Sequence, residues 1–291
     1  MTRCALAVKF DQKILWPFSS AEALPAKAEA FILLYMAKPK IIELSNGLCI
    51  PILYDDRVVL AIDKPAGWLL APADWDRTGR NLQLALMSSL NNGDHWANSR
   101  RLQYIRFIHR LDADTSGVLL MAKSLGALTT MSQLFESRAV KKKYLAVVQG
   151  IPKQAEWTNR NPIGQDPAGK SRMKIDYKTG KDAETHFRVL QTSASTALIE
   201  ANPVTGRTHQ IRVHLAESGH PVLGDALYGP LRVGEKEPMA LRAVEVSYLD
   251  PFQKRQIRIN ALTATFLAQF GFPPPVPVVA NQNRDDAAKQ H

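Results

Sequence analysis

The chain has 291 residues, 45% hydrophobic and 22% charged, so it can bury a sizeable core as one large domain or two smaller ones. Its 37 Lys and Arg outnumber 27 Asp and Glu, and the net charge of +10 favours nucleic acid over an anionic membrane surface as partner, although charge alone is equally compatible with a merely basic soluble protein. The two cysteines, Cys4 and Cys49, exclude a disulfide framework and a zinc motif, and the absence of a signal peptide or membrane-length apolar run predicts a cytoplasmic protein.

The first predicted elements lie before residue 91. Residues 21–36 are rich in Ala and Leu and predict a helix. Residues 52–63 predict a strand, an acidic turn and a second strand, and Lys64–Gly67 predicts a turn in which Pro fixes φ and Gly permits the reversal. A short helix follows at 81–90, with Asn81 as its N-cap.

The remaining elements mix helices with strands. The apolar run 118–122 follows a Thr-Ser-Gly turn and predicts a buried strand, and helical periodicity extends over 124–138. A helix over 208–218 ends at Gly219 as its C-cap. Further strands are predicted at 141–150, 184–191, 196–201 and 239–248. The sum is an α+β protein with much antiparallel sheet.

The most informative segment is His109–Gly117, in which Asp112 follows the basic pair His109 and Arg110. A carboxylate between cationic neighbours is expected to stay ionised and rigid, as a nucleophile or a general base requires. Asp114 is a second acid, which makes a paired-carboxylate hydrolase conceivable, but an acid there more often caps the following turn. The order His-Arg-Leu-Asp at 109–112 also resembles the His-Arg-Asp catalytic loop of protein kinases. Here, however, Leu111 stands between the arginine and the aspartate, and no Gly-rich nucleotide loop precedes the segment.

Two further segments carry residues suited to chemistry. In Lys141–Tyr144 the lysines can follow phosphates, and the tyrosine ring can stack on a base or move a proton. Alternatively, the lysines form a solvated edge that protects a strand from aggregation. Segment 203–215 places Arg207 by a helix N-terminus that suits an anion, and puts Thr208 and Arg212 on one helix face. The two arginines can hold a phosphate or carboxylate bidentately, or they are solvated.

The histidines of the third segment do not predict a metal site. His209 and His214 are five apart on the predicted helix and diverge, and with His220 they find no carboxylate or cysteine to complete a ligand set.

Taken together, these segments resemble the RluA-type pseudouridine synthases over about residues 52–264. The resemblance is carried by His-Arg-Leu-Asp with Thr-Ser-Gly at 109–117, Lys-Lys-Tyr at 142–144 and Thr-Gly-Arg-Thr-His-Gln-Ile-Arg-Val-His at 205–214, with support from 63–67 and 219–225. It implies the α+β pseudouridine synthase fold, with a central, mostly antiparallel sheet, flanking helices and a basic RNA-binding cleft. It also implies isomerisation of uridine in ribosomal or transfer RNA to its C5-glycoside, with no cofactor and no metal.

The resemblance implies roles for individual residues. Asp112 would attack the uridine at the sugar or at the base, and Arg212 would pair with Asp112 and keep it ionised. Tyr144 would stack on the uracil and help to remove the C5 proton. Arg110 would bind a backbone phosphate and help to hold the target nucleotide out of its stack. The other expected RNA contacts are Lys142, Lys143, Arg207 and His209.

The resemblance also predicts the domain organisation. A catalytic domain over 51–270 follows an N-terminal extension, 1–50, that lacks a clear form of the S4 RNA-binding domain of many relatives, and it precedes a Pro-rich and polar tail, 271–291, disordered at its end. Arg242 stands where relatives usually carry histidine, which puts the local contact of that histidine in doubt. No membrane and no obligate protein partner is implied.

Two other functions remain as alternatives. A noncatalytic RNA-binding or ribosome-assembly protein could keep the fold, but binding alone does not need a carboxylate facing polyanionic RNA. A metal-dependent hydrolase acting on nucleic acid would differ from a synthase in its sensitivity to a chelator.

Overall fold

The computed structural model describes residues 38–70, 79–167, 169, 172–230 and 238–273, so the helix predicted over 21–36 and most of the predicted tail lie outside the described residues. The described strands are β1 (Ile41–Glu43), β2 (Cys49–Asp55), β3 (Val59–Lys64), β4 (Arg106–Phe107), β5 (Ser116–Ala122), β6 (Lys141–Gln149), β7 (Glu156–Asn159), β8 (Ile163–Gln165), β9 (Met173–Ile175), β10 (Thr185–Thr192), β11 (Thr196–Pro203), β12 (Leu241–Leu249) and β13 (Gln256–Asn260). The described helices are α1 (Leu82–Asn91), α2 (His95–Asn98), α3 (Leu125–Glu136), α4 (Gln210–Glu217) and α5 (Ala264–Gln269). Of these helices, none is both long enough and apolar enough to cross a membrane.

One large sheet organises the described chain. Its strand order is β1-β2-β3-β5-β12-β6-β11-β10-β7, with β13 paired to β12 and β4 paired to β5, while β8 and β9 form a separate two-stranded sheet. The pairing of β5 with β12 is parallel, and the other strand pairs are antiparallel. The predicted α+β fold with a central, mostly antiparallel sheet is therefore confirmed.

Strand β5 lies at the centre of this sheet, between β3 and β12. Its residues 118–122 are fully buried, which explains why the sequence there is continuously apolar rather than alternating. At the start of the strand, Gly117 has φ +114°, and a Cβ on it would lie 2.0 Å from the carbonyl oxygen of Ala243. Only glycine therefore lets β12 approach β5 directly after the loop that carries Asp112.

The helix ends follow local sequence signals with one exception. The Asn81 side chain accepts a hydrogen bond from the Leu84 amide and caps α1, as predicted. Helix α4 begins at Gln210, two residues later than predicted, because His209 adopts the left-handed conformation with φ +55°. Thr208 is therefore not helical, and the prediction that it shares a helix face with Arg212 is wrong. Gly219, with φ +80°, follows the last turn as expected.

Candidate active site

A cleft of about 410 Å³ lies where the three sequence segments meet, a volume in the range of small-molecule sites. The loop before β5, the C-terminal end of α3, the start of β6 and the loop between β11 and α4 form its walls. The predicted site residues that line it are Arg110, Asp112, Lys142, Tyr144, Arg207, His209 and Arg212.

The centre of the cleft is an ion pair between residues 100 positions apart in sequence. The Arg212 guanidinium donates from Nη1 to Oδ2 of Asp112 at 3.2 Å. It also donates from Nε and Nη2 to the two oxygens of Asp225, both at 2.7 Å. Because the Asp225 side chain is fully buried and the Asp112 side chain is 17% exposed, Arg212 holds one carboxylate in the interior and one that reaches the cleft.

The charges of Arg212 and Asp225 support each other. Burial disfavours the charged form of both groups, but the hydrogen bonds and mutual attraction outweigh it, so the pKa of Asp225 is lowered and that of Arg212 is raised. The backbone amides of Leu227 and Tyr228 donate to Oδ1 of Asp225 as well. The guanidinium is thus a fixed positive charge. Its bidentate pair with Asp225 sets the direction from which Nη1 donates to Asp112. Sequence reasoning did not identify Asp225 as the second partner.

Lys64 is a further residue whose role the sequence did not reveal. Its side chain is completely buried, and Nζ donates to the carbonyl oxygens of Pro65, Ala113 and Thr115 at 3.0, 2.7 and 3.0 Å. Burial lowers the pKa of Lys64 to about 8, although the charges of Asp114 and Asp112 oppose that shift. The lysine therefore uses all three donors to fix the loop that carries Asp112. The only signal in the sequence was a lysine at the end of an apolar strand.

Tyr144 lies at the junction of two hydrophobic clusters, on the strand face that borders the cleft. Burial, reinforced by the charge of Asp112, raises the pKa of Tyr144 well above its usual value. The side chain is therefore a neutral phenol in the free protein, and its ring is immobilised beside the carboxylate.

His109 does not supply one of the two cations expected beside Asp112. Burial, reinforced by the charge of Lys142, lowers the pKa of His109 to about 3, so the ring is neutral. Its Nε2 accepts from the Leu120 amide at 3.1 Å, and the ring stacks on Phe135 at 4.7 Å. His109 thus anchors the loop to β5, and the expectation that it carries positive charge is wrong.

The lysines of β6 separate onto two faces because side chains alternate along a strand. Lys142 lies on the cleft side with Tyr144 and donates to the Thr205 carbonyl oxygen at 2.9 Å. Burial, with the charge of Arg138, lowers the pKa of Lys142 to about 8. Lys143 points away from the cleft and pairs with Glu200 at 3.0 Å. Of the two predicted RNA contacts, only Lys142 borders the cleft.

The loop before α4 is held in place by Gln210, which sequence reasoning also missed. Its Oε1 accepts from the Thr205 hydroxyl at 2.7 Å and from the Arg207 amide at 2.9 Å. Its Nε2 donates to the carbonyl oxygen of Glu184 and the hydroxyl of Thr185, both at 2.9 Å. All four hydrogen-bonding positions of the buried amide are therefore used, which fixes the approach of Arg207 to the cleft.

The other histidines of this region serve different partners. His214 is fully buried and bonds to the Thr185 hydroxyl and the Asn161 carbonyl oxygen, whereas His220 bonds to the Gln149 carbonyl oxygen. Over the described ranges, no three His, Cys, Asp or Glu side chains group as metal ligands.

Arg242 connects the start of β5, directly after the loop that carries Asp112, to two neighbouring segments. Its guanidinium contacts Asp63 at 2.5 Å, the Ser116 hydroxyl at 3.1 Å and the Leu262 carbonyl oxygen at 3.0 Å. Asp63 thus neutralises the charge of Arg242, and the guanidinium links the end of β3 to the first residue of β5.

The sequence matches a known protein family. The sequence model of the family described as RNA pseudouridylate synthase matches residues 58–217. Ribosomal large subunit pseudouridine synthase D of Nitrosomonas europaea is 37% identical over 185 residues, which make up 64% of this chain and 51% of that protein. The protein named uncharacterized RNA pseudouridine synthase YlyB of Bacillus subtilis is 33% identical over 218 residues, 75% of this chain and 70% of that protein. The chain spans about half the length of the Nitrosomonas protein.

A solved structure shares the fold. Human RNA Pseudouridylate Synthase Domain Containing 1 aligns with a TM-score of 0.58 and 25% identity, covering 78% of this chain and 97% of that chain.

Proposed function

Because the chain belongs to the RNA pseudouridylate synthase family, we propose that it isomerises uridine in RNA to pseudouridine. The observation that carries the proposal is the Asp112 carboxylate, which faces the cleft while Arg212 holds one of its oxygens at 3.2 Å. An anion in a site for polyanionic RNA needs a chemical reason, since it weakens simple binding. A nucleophile supplies that reason.

The proposed reaction rearranges one nucleotide. The N1–C1′ bond breaks, a C5–C1′ bond forms, the C5 proton leaves and N1 gains a proton, so no oxidant or reductant is required. Asp112 attacks the sugar or the base, and the base must leave its stack to reach the cleft, at a cost of a few kcal/mol. We assign Arg110, exposed at the rim, to a phosphate of the flipped nucleotide, and Lys142, Arg207 and His209 to further RNA contacts. Lys143 would meet RNA only outside the cleft.

Tyr144→Phe separates two roles of the tyrosine. Stacking should survive, whereas the rate of isomerisation should fall roughly 10²- to 10⁴-fold, the usual contribution of acid–base catalysis. Because Tyr144 is a neutral phenol, we expect it to release its own proton to solvent as it accepts that of C5. The measurement is single-turnover release of tritium from RNA containing 5-tritiated uridine.

The control for this change is Tyr144→Leu, which also removes the ring and should additionally weaken RNA binding, since stacking is worth about 1–3 kcal/mol per base. An unchanged rate in Tyr144→Phe would reduce the residue to a stacking platform.

The substrate class we favour is large-subunit ribosomal RNA, because several relatives are named for the ribosomal large subunit; transfer RNA is the alternative. We also propose a cytoplasmic location for the protein, where both RNA classes function. Pseudouridines mapped in both RNA classes from cells lacking the protein should reveal the loss of specific sites. Wild-type protein should restore them and the Asp112→Asn variant should not. Identical maps with and without the protein would contradict the proposed function.

A further inference from the structure

His209 lies between the proposed nucleophile and a tyrosine that the proposed mechanism does not use. Its Nε2 is 3.9 Å from Oδ1 of Asp112, and its Nδ1 is 2.9 Å from the hydroxyl of Tyr228. The two rings meet edge to face, with centroids 5.7 Å apart. The backbone of His209 is left-handed, with φ +55°, a conformation that is uncommon outside glycine and enriched at functional sites.

The hydrogen bonds of Tyr228 select the tautomer of His209. The Tyr228 hydroxyl oxygen accepts from the Met173 amide at 2.8 Å. Burial raises the pKa of Tyr228, so the hydroxyl keeps its single proton, and in the described chain the acceptor for that proton is Nδ1 of His209. With Nδ1 acting as an acceptor, the neutral ring carries its proton on Nε2, the nitrogen that faces Asp112.

The two oxygens of Asp112 are therefore in different surroundings. Oδ2 is held by Arg212 at 3.2 Å, whereas Oδ1 faces Nε2 of His209 at 3.9 Å. That separation exceeds a hydrogen bond, and contacts of this kind often shorten only when a substrate is bound. Together the two groups limit rotation of the carboxylate about its last bond.

We propose that His209 is a positioning residue for the isomerisation proposed above: Tyr228 holds it as the neutral Nε2–H tautomer, and that N–H orients Oδ1 of Asp112 toward the flipped nucleotide. The inference rests on the proposed function, and it moves His209 from a general RNA contact to a partner of the carboxylate. It also gives Tyr228 a role that acts through His209.

The charges around His209 agree with a neutral ring. Burial lowers its pKa, Arg212 and Arg110 act in the same direction, and Asp112 and Asp225 oppose them. A protonated ring would form a full ion pair with Asp112 and weaken it as a nucleophile. A neutral N–H orients the oxygen without removing its charge.

Two substitutions test the proposal. His209→Asn keeps a residue that tolerates the left-handed conformation but removes the ring, and Tyr228→Phe keeps the ring that stacks under Arg212, at 5.1 Å from the guanidinium, but removes the hydroxyl. Each should lower the single-turnover rate roughly 10- to 100-fold, the loss expected for a hydrogen bond to a charged group, with RNA affinity unchanged within about twofold. The double variant should be no slower than His209→Asn, because Tyr228 acts through His209. His186→Asn, a matched change on the exposed side of β10, should behave like wild type.

A second measurement does not depend on turnover. Nitrogen-15 NMR of histidine-labelled protein at neutral pH should show His209 as the Nε2–H tautomer in wild type, and Tyr228→Phe should shift its Nδ1 resonance. An Nδ1–H tautomer would overturn the proposal, as would additive rate losses in the double variant or a weaker RNA affinity with an unchanged rate in His209→Asn. Failure of wild-type protein to release tritium would instead contradict the proposed function and would leave the NMR result to decide the tautomer.

Discussion

Replacing Asp112 with Asn should abolish isomerisation while RNA still binds. The amide matches the carboxylate in size but has no negative charge with which to attack the uridine, and loss of a nucleophile commonly lowers a rate by roughly 10⁴-fold or more. The fold should persist because Arg212 keeps its bidentate pair with the buried Asp225. RNA affinity should stay equal or rise slightly, since one anion facing a polyanion is removed. Tritium release and direct RNA-binding titrations measure the two effects.

The same loop provides a matched control. Asp114 lies two residues later and is exposed, and among the described residues its side chain makes no hydrogen bond, so Asp114→Asn should isomerise uridine at close to the wild-type rate. The expectation that the Asp114 side chain caps the turn is therefore wrong, and the structure gives it instead a charge interaction with Lys64. If Asp112→Asn stayed active, or if Asp114→Asn lost activity, the assignment of Asp112 as the nucleophile would be contradicted.

Arg212→Lys should be the second most damaging change. Arginine donates three hydrogen bonds to two carboxylates on different sides, and a lysine ammonium cannot span both Asp112 and Asp225. We expect the isomerisation rate to fall at least roughly 10²-fold because Asp112 loses its fixed orientation. Because Asp225 is buried and would lose its bidentate partner, we also expect a loss of up to about 3 kcal/mol in the free energy of unfolding.

Chemical denaturation and single-turnover tritium release, at a temperature at which the variant is folded, separate these two effects. Arg160→Lys is the matched control, because Arg160 is 68% exposed and pairs with Glu184 at the surface, where such pairs contribute about 0–1 kcal/mol. A near-normal rate in Arg212→Lys would show that Arg212 does not orient Asp112. Normal stability would show that Asp225 finds another partner.

Much of the architecture was predictable from local sequence. The side chains of Asn81 and Ser124 accept hydrogen bonds from backbone amides and cap α1 and α3. The continuous apolar run 118–122 forms a strand that is buried on both faces. The sequence did not predict the short strands β1, β4, β7, β8, β9 and β13 or the short helices α2 and α5. It also placed the start of α4 two residues too early, where His209 is left-handed. A pattern of residue types favours helix there, but the tertiary contacts of the ring with Tyr228 and Asp112 override it.

The candidate site divides in the same way. The sequence by itself determined which side chains can do chemistry, but it grouped Lys143 with Lys142 as an RNA contact. The structure shows that only Lys142 and Tyr144 lie on the cleft side of β6 and that Lys143 pairs with Glu200. The resemblance implied that Arg212 meets Asp112, but neither periodicity nor spacing did. Only the tertiary structure decided that Asp225 shares the guanidinium and that the buried Lys64 supports the loop. The physical reason is that helix caps and strand alternation depend on residues a few positions apart. The contacts of Arg212 with Asp225 and of Lys64 with the loop depend instead on the order of the strands, and on burial, which leaves each polar group few partners.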